Sequence, residues 1–326
     1  MKVYEIHEPK GVEAVVAAER PEPKPGHGEV LVRMRAASLN YRDLAVARGA
    51  YGKGVEYPIV PLSDGAGEVV ELGPGVTRLA LGDRVAGIFM QGWVSGRVDA
   101  EKAKTAMGGA IDGVLSQLRA FPQEGLVRIP DHLSFEEGAT LPCAGVTAWH
   151  ALQGLEPGQT VLVQGTGGVS MFALQFAKMA GARVIATSSS DEKLERARQL
   201  GADVLVNYKA VPEWEKPAQG VDRIVEVGGA GTLGKSLKAV RMGGVIALVG
   251  VLTGKGEIDP QPALMKSVRM QGIYVGSREM FEDMNRAIVQ GGMRPVVDRV
   301  FPFAEALEAY KYLESGAHFG KIVISI

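Results

Sequence analysis

The stretch "VLVQGTGGVSMFALQFAKMAG", residues 161–181, limits the fold more than any other part of the chain. Its apolar opening reads as a buried strand, and Val169, Phe172, Ala173, Phe176, Ala177 and Ala180 then fall on one helical face that ends at Gly181. Gly165, Gly167 and Gly168 stand between the two, and "ARVIAT" follows as a second strand. A strand, glycine-rich turn, helix and strand in this order form the dinucleotide-binding arrangement. There, backbone amides approach a pyrophosphate with the positive end of a helix behind them. The expected phosphate contacts are therefore Gly165, Thr166, Gly167, Gly168 and Val169. Ser170 takes the place of a further glycine and is small enough to keep the helix close to the sheet.

The same rhythm continues downstream. A capping-box spacing of Ser189 with Glu192 opens the helix "SDEKLERARQLG", and "VLV", "DRIVEV", "GVIALVG" and "GIYVG" supply further strands. Strands alternating with helices imply a parallel sheet covered on both faces, a doubly wound Rossmann domain. Before about Phe121 the chain reads differently, as short strands such as "EVLVRMRAAS", "GAGEVVELG" and "DRVAGIF" separated by Gly and Pro. At 326 residues two domains are expected. Residues 1–124 and 278–326 are assigned to a β-rich catalytic domain and residues 125–277 to the dinucleotide-binding domain. The closing "GKIVISI" finds no slot in the parallel sheet and is expected to return to the first domain.

Composition narrows the function classes. A net charge of -1 offers no global field for nucleic acid or an acidic membrane surface. No apolar run approaches the ~20 residues of a membrane helix. The single cysteine cannot form an internal disulfide, and the start shows no basic segment followed by an apolar run, so a soluble cytoplasmic protein is expected.

The second strand of the nucleotide fold sets the cofactor preference. An NAD site usually places Asp or Glu at its end to hold the ribose hydroxyls, but Ser188 stands there. The Ser188 and Ser189 hydroxyls with Lys193 would instead bind a 2'-phosphate, which favours NADP(H) over NAD(H).

The β-rich first part, "ASLNYRDLAVARGAYG", "GAGEVVELGPGVTRLALGDRVAG", "LPCAGVTAWHAL", "GTGGVS" and "HFGKIVI", in that order, resemble the medium-chain dehydrogenase/reductase superfamily, and most closely its zinc-free quinone oxidoreductase branch. The resemblance implies a GroES-like catalytic domain beside the Rossmann domain. Zinc-dependent members hold their metal with a cysteine, a histidine and a second cysteine. Those positions here are Asn40, Ser63 and Cys143. A catalytic zinc takes about three protein ligands, so one surviving cysteine predicts no zinc there. Residues 90–120 contain no cysteine for the family's structural zinc lobe, and His7, His27, His132, His150 and His318 show no ligand-like spacing.

The resemblance also distributes roles. Tyr51 lies where a related enoyl reductase branch carries its catalytic tyrosine, and Asn40 would orient the substrate oxygen or the nicotinamide ribose. Asp43 would cap the adjacent helix. Tyr41 and Arg42 would reach the cofactor phosphates, Thr147 the nicotinamide face and Tyr208 the adenosine side. Gly250, Val251 and Leu252 follow a strand at its ligand-binding end, and Gly276, Ser277, Gly320 and Lys321 would lie near the nicotinamide half.

The expected activity is NADPH-dependent, zinc-independent hydride transfer to a quinone or an α,β-unsaturated carbonyl, by a homodimer paired through "MQGIYVG", the last strand of the cofactor domain. Two alternatives stand beside it: a zinc-free NAD(P)-dependent alcohol dehydrogenase, and a low-turnover NADPH-binding protein of structural, crystallin-like type. Cys143 is expected to be a small residue at the cofactor side rather than a nucleophile or ligand, since hydride transfer needs no covalent intermediate.

Overall fold

Short apolar stretches between turn residues make the first half of the chain a succession of strands. A computed structural model describes residues 1–52 and 54–326. Strand β1 (Lys2–Ile6) pairs antiparallel with β2 (Val15–Glu19). Then come β3 (Glu29–Ser38), α1 (Tyr41–Ala47), β4 (Asp64–Leu72), β5 (Arg84–Gly87), the single turn α2 (Ala100–Ala103), β6 (Leu118–Pro122), β7 (Leu126–Arg128), α3 (Phe135–Ala139) and α4 (Val146–Ala151). β3 is the spine of this sheet: it pairs antiparallel with β4 and β6, and its Val30, Val32 and Met34 enter the core. The two strands approach so closely at Gly67 that a Cβ there would stand 2.2 Å from the Arg33 carbonyl oxygen, which leaves room only for glycine.

The parallel sheet follows from the alternation read in the sequence. It contains β8 (Thr160–Gln164), α5 (Gly168–Met179), β9 (Arg183–Ser188), α6 (Asp191–Gln199), β10 (Val204–Asn207), β11 (Val221–Glu226), α7 (Ala230–Ala239), β12 (Val240–Leu248), α8 (Gln261–Met265) and β13 (Arg269–Gly272). The strand order is β10-β9-β8-β11-β12-β13, every pair parallel. The chain therefore steps outward from β8 to β10, then returns to the other side of β8 with β11. Ligands of open α/β sheets bind at such a reversal, beyond the carboxyl ends of the strands. Leu162, Ile185, Ile224 and Ile246 from the strands pack with Leu233 and Leu237 of α7. On α5, Phe172 stacks on Phe176, and full burial of each such ring contributes about 1.5–3 kcal/mol.

The tail supplies α9 (Arg278–Gly291), β14 (Val297–Pro302), α10 (Ala306–Glu314) and β15 (Lys321–Ser325). β15 lies between β14 and β3, so "GKIVISI" joins the sheet of the first part. The chain divides into two compact units, Met1–Val146 with Val275–Ile326, and Thr147–Tyr274. The boundary expected at residue 125 lies earlier than this one because β7, just past it, pairs with β5 of the first sheet. The "GIYVG" strand is displaced as well. Pairing with β12 ends at Gly272, and Val275 has φ 58, a left-handed conformation that cannot continue a strand. No helix among the described residues is long and apolar enough to cross a membrane.

Candidate active site

In the second unit, α5 starts without a side-chain cap among the described residues. Its first turn carries N–H groups that the helix itself cannot satisfy, and Gly167 at the cap position has no side chain to accept them. Helix α6, by contrast, is capped by Ser190. Gly165 holds φ 70, and a Cβ built at Gly165 or Gly167 would meet nothing within 4 Å. Donors, open space and the positive end of a helix coincide here, which fits a pyrophosphate. Ser170 does more than save space. Its hydroxyl donates to the Gln164 carbonyl at 2.6 Å, pinning the first turn of α5 to the end of β8.

The ends of β9 and β10 gather the next group of predicted residues. Asn207 lies opposite Ser188, and the Tyr208 N–H donates to the Ser188 carbonyl at 3.0 Å, leaving the tyrosine side chain exposed. The cap of α6 is Ser190 and not Ser189, because β9 runs through Ser188 and the chain needs one more residue to turn. Ser188 is buried, and its hydroxyl accepts the Ser190 N–H at 3.3 Å. Its side chain thus serves the turn, while Ser189 and Lys193 are both partly exposed. At the end of β12, Val251 and Leu252 are exposed and Gly250 donates to the Glu226 carbonyl. Thr147 is buried.

The first unit collects the residues at the zinc-ligand positions. Lys321, only 3% exposed at the start of β15, donates from Nζ to the Asn40 Oδ1 at 2.6 Å and to the Leu39 carbonyl at 2.5 Å. It also lies 4.0 Å from Asp64, whose carboxylate is fully buried. Asp64 accepts from the Ser63 hydroxyl at 2.7 Å and from the Cys143 backbone N–H at 3.1 Å. Burial pushes the Asp64 carboxyl above its ordinary range and the Lys321 ammonium below its own, and at both ends the charge of the other group opposes the shift. The Cys143 thiol is pushed well up by burial and by the Asp64 charge, so it stays protonated.

Zinc does not fit this donor set. A zinc ligand must be a thiolate, neutral imidazole or carboxylate with a lone pair to give. Here a single sulfur stands beside a Ser63 hydroxyl spent on Asp64 and an Asn40 carbonyl oxygen held by an ammonium, which leaves fewer than the about three ligands a catalytic zinc takes. Among the described residues no group of three or more His, Cys, Asp or Glu could hold a metal ion. Asp64 was not singled out from sequence. The available signal was an acid in "PLSDGAG" directly before an apolar strand, where burial has to be compensated.

Arg42, expected at the cofactor phosphates, is enclosed by residues of the first unit. Its side chain is 9% exposed and donates to the Met107 carbonyl at 3.0 Å. The guanidinium lies 4.2 Å from the Tyr51 ring centroid and 4.9 Å from that of Phe89. Two aromatic faces and a carbonyl hold the cation inside the first unit. Tyr51 is partly buried against the core with this cation on its ring, and Tyr41, one residue earlier on α1, is half exposed. Ser277 is buried as the cap of α9, its hydroxyl accepting from Met280, so it too serves the fold. Gly276 is packed where a Cβ would come within 2.5 Å of Val146, and Gly320 holds φ 79 just before Lys321.

Asp43 closes the first turn of α1 by accepting the Asn40 N–H at 2.7 Å. Its burial raises the carboxyl to about 6, against the lowering charge of Arg42. Because the folded value lies above the unfolded one, the native state binds more protons between about pH 4 and 6. Stability therefore falls as pH rises through that window, by on the order of 3 kcal/mol. Asp43→Asn keeps an acceptor for Asn40 but cannot ionise. Its unfolding midpoint in denaturant is expected to rise relative to the parent from pH 4 to pH 7, and parallel curves would contradict this.

Two family models match the chain in succession. Residues 26–131 match the family described as alcohol dehydrogenase GroES-like domain, and residues 168–290 match the zinc-binding dehydrogenase family. A zinc-type alcohol dehydrogenase-like protein of Schizosaccharomyces pombe is 44% identical over 92% of this chain and 91% of its own length. An acryloyl-coenzyme A reductase of Metallosphaera sedula is 30% identical over 93% of this chain and 94% of its own. The crystal structure of an NAD-dependent alcohol dehydrogenase superposes with a TM-score of 0.91 at 34% identity, covering 100% of both chains.

Proposed function

Since the chain belongs to the medium-chain dehydrogenase/reductase superfamily and is an NAD(P)-dependent oxidoreductase, we propose that it is an NADPH-dependent, zinc-independent reductase of quinones or α,β-unsaturated carbonyls. The observation that carries this reading is the Lys321 ammonium on Asn40, at the place where zinc-dependent members keep their metal. A metal supplies several kcal/mol of stabilisation to oxygen charge. Alcohol oxidation needs that help most, because the hydroxyl proton must leave. When hydride adds to an enone, the charge spreads to an oxygen that a hydrogen-bond donor can hold.

The reduced nicotinamide supplies the hydride. In this reading α5 and its glycine loop hold the pyrophosphate, and Ser189 and Lys193 hold the 2'-phosphate, with Ser188 shaping the turn between them. Tyr51 donates to the developing oxyanion, with the Arg42 charge on its ring favouring that role. Asn40, its carbonyl oxygen fixed by Lys321, has only its NH2 group left to donate to a substrate oxygen. Support for enone chemistry comes from the acryloyl thioester named in the Metallosphaera sedula relative. The names of the other two relatives favour the alcohol dehydrogenase reading instead. Pairing of two copies through β13 belongs to the same proposal: it is the sheet's edge, with Met270 exposed.

A panel assay tests the reading. NADPH oxidation is expected with an enone or a quinone, with NADH less effective by about tenfold or more, as one lost charge-assisted contact predicts. Alcohol-dependent reduction of NADP as the dominant activity would replace this reading by the dehydrogenase one. Tight NADPH binding without turnover on any acceptor would favour the binding protein.

A further inference from the structure

We propose that Glu226 is a positioning residue for the cofactor, joining three loops at the carboxyl edge of the parallel sheet into one geometry; this rests on the cofactor being held at that edge. Gln164 ends β8 and Glu226 ends β11, the two neighbouring strands at which the strand order reverses. The Glu226 carboxylate is fully buried. Its Oε1 accepts from the Gly228 N–H at 2.9 Å, the Gly229 N–H at 3.1 Å and the Thr232 hydroxyl at 2.5 Å. Its Oε2 accepts from the Gln164 amide at 2.8 Å and from the Ser236 hydroxyl. Gln164 closes the ring, its Oε1 accepting the Val227 N–H at 3.3 Å.

Further bonds carry this order outward. The Glu226 carbonyl accepts from Val249 and Gly250, and the Gly228 carbonyl accepts from both the N–H and the hydroxyl of Thr253. The carboxylate thereby fixes the end of β8 directly before the phosphate loop and the turn into α7, and the backbone carbonyls of that same turn hold the loop after β12 that contains Val251 and Leu252. A carboxylate offers about four lone-pair sites, so five donors leave none for a ligand. Its place is also selective. Glu226 sets its carboxylate against the Gly228 and Gly229 N–H groups immediately before α7 and against the Thr232 hydroxyl in its first turn. An anionic ligand is thus turned away from α7.

The test exchanges hydrogen-bonding patterns without changing shape. In Glu226→Gln, the new NH2 group opposes the Gln164 NH2 group, and any flip of Gln164 deprives the Val227 N–H of its acceptor. The double variant Gln164→Glu with Glu226→Gln restores every donor–acceptor pair with the charge moved across. NADPH dissociation constants from nicotinamide fluorescence, kcat at saturating cofactor and unfolding midpoints are measured on the full chain. Glu226→Gln is expected to weaken NADPH by about tenfold or more, with kcat at saturation changed far less, and the double variant is expected to recover most of that affinity. Ser236→Ala, which removes one donor to Glu226 and one acceptor of the Gln164 amide at 2.8 Å, gives a smaller change in the same direction. A lowered unfolding midpoint with unchanged NADPH affinity, or a double variant no better than the single one, overturns the proposal. A parent protein that binds neither NADPH nor NADH overturns the cofactor assignment itself, and this proposal with it.

Discussion

Lys321→Met is expected to lower the stability of the first unit by about 3–5 kcal/mol near pH 8, the usual cost of removing one partner of a buried ion pair. Methionine fills much the same volume, so the loss reports charge and hydrogen bonding rather than a cavity. Asp64 would remain fully buried, keeping Ser63 and the Cys143 N–H but losing the cation 4.0 Å away. Its carboxyl already lies above the ordinary range and would rise further without that cation. Below the raised value Asp64 takes up a proton and no longer needs a partner. The gap between variant and parent therefore narrows as pH falls and is widest on the alkaline side. Turnover falls too, because the Asn40 amide loses the ammonium that orients it. A variant as stable as the parent at pH 8 would remove the electrostatic role assigned to Lys321.

Gly167→Asp is expected to have opposite effects on fold and function. Gly167 has φ -78 and ψ -178, an extended conformation open to any residue, and its Cβ would enter empty space. Aspartate at an N-cap accepts N–H groups of the first turn, worth ~1 kcal/mol relative to an apolar cap and a few tenths relative to glycine. The unfolding midpoint should therefore hold or rise slightly. The same carboxylate would occupy the donors assigned to the pyrophosphate and repel its charge, and NADPH affinity should fall by about a hundredfold or more. Isothermal titration with parallel thermal unfolding checks both halves. Undiminished NADPH binding in a stable Gly167→Asp protein would move the cofactor away from α5.

Local patterns made most of the second unit readable. The glycine loop, the apolar face of α5 with Phe172 and Phe176, and the succession of strands are each written in neighbouring residues. The β-rich start, with β3 at Glu29–Ser38, was readable for the same reason. What escaped depended on partners far along the chain. Nothing near Arg42 announces that Tyr51, Phe89 and Met107 will enclose it. Lys321 meets Asn40 across 281 positions, and Gln164 meets Glu226 across 62. The one-residue error at Ser189 and Ser190 is of another kind, since three consecutive serines offer equivalent caps and only the length of β9 selects among them. Cys143, which looks like a surviving ligand, becomes a protonated thiol once Asp64 is seen beneath its backbone.

The most direct test of the account is the rate of NADPH oxidation with an α,β-unsaturated ketone, measured before and after exhaustive chelation, with zinc quantified per chain in the same samples. The rate is expected to survive chelation unchanged, with zinc far below one ion per chain. Stoichiometric zinc whose removal abolishes turnover, and whose return restores it, would contradict the account.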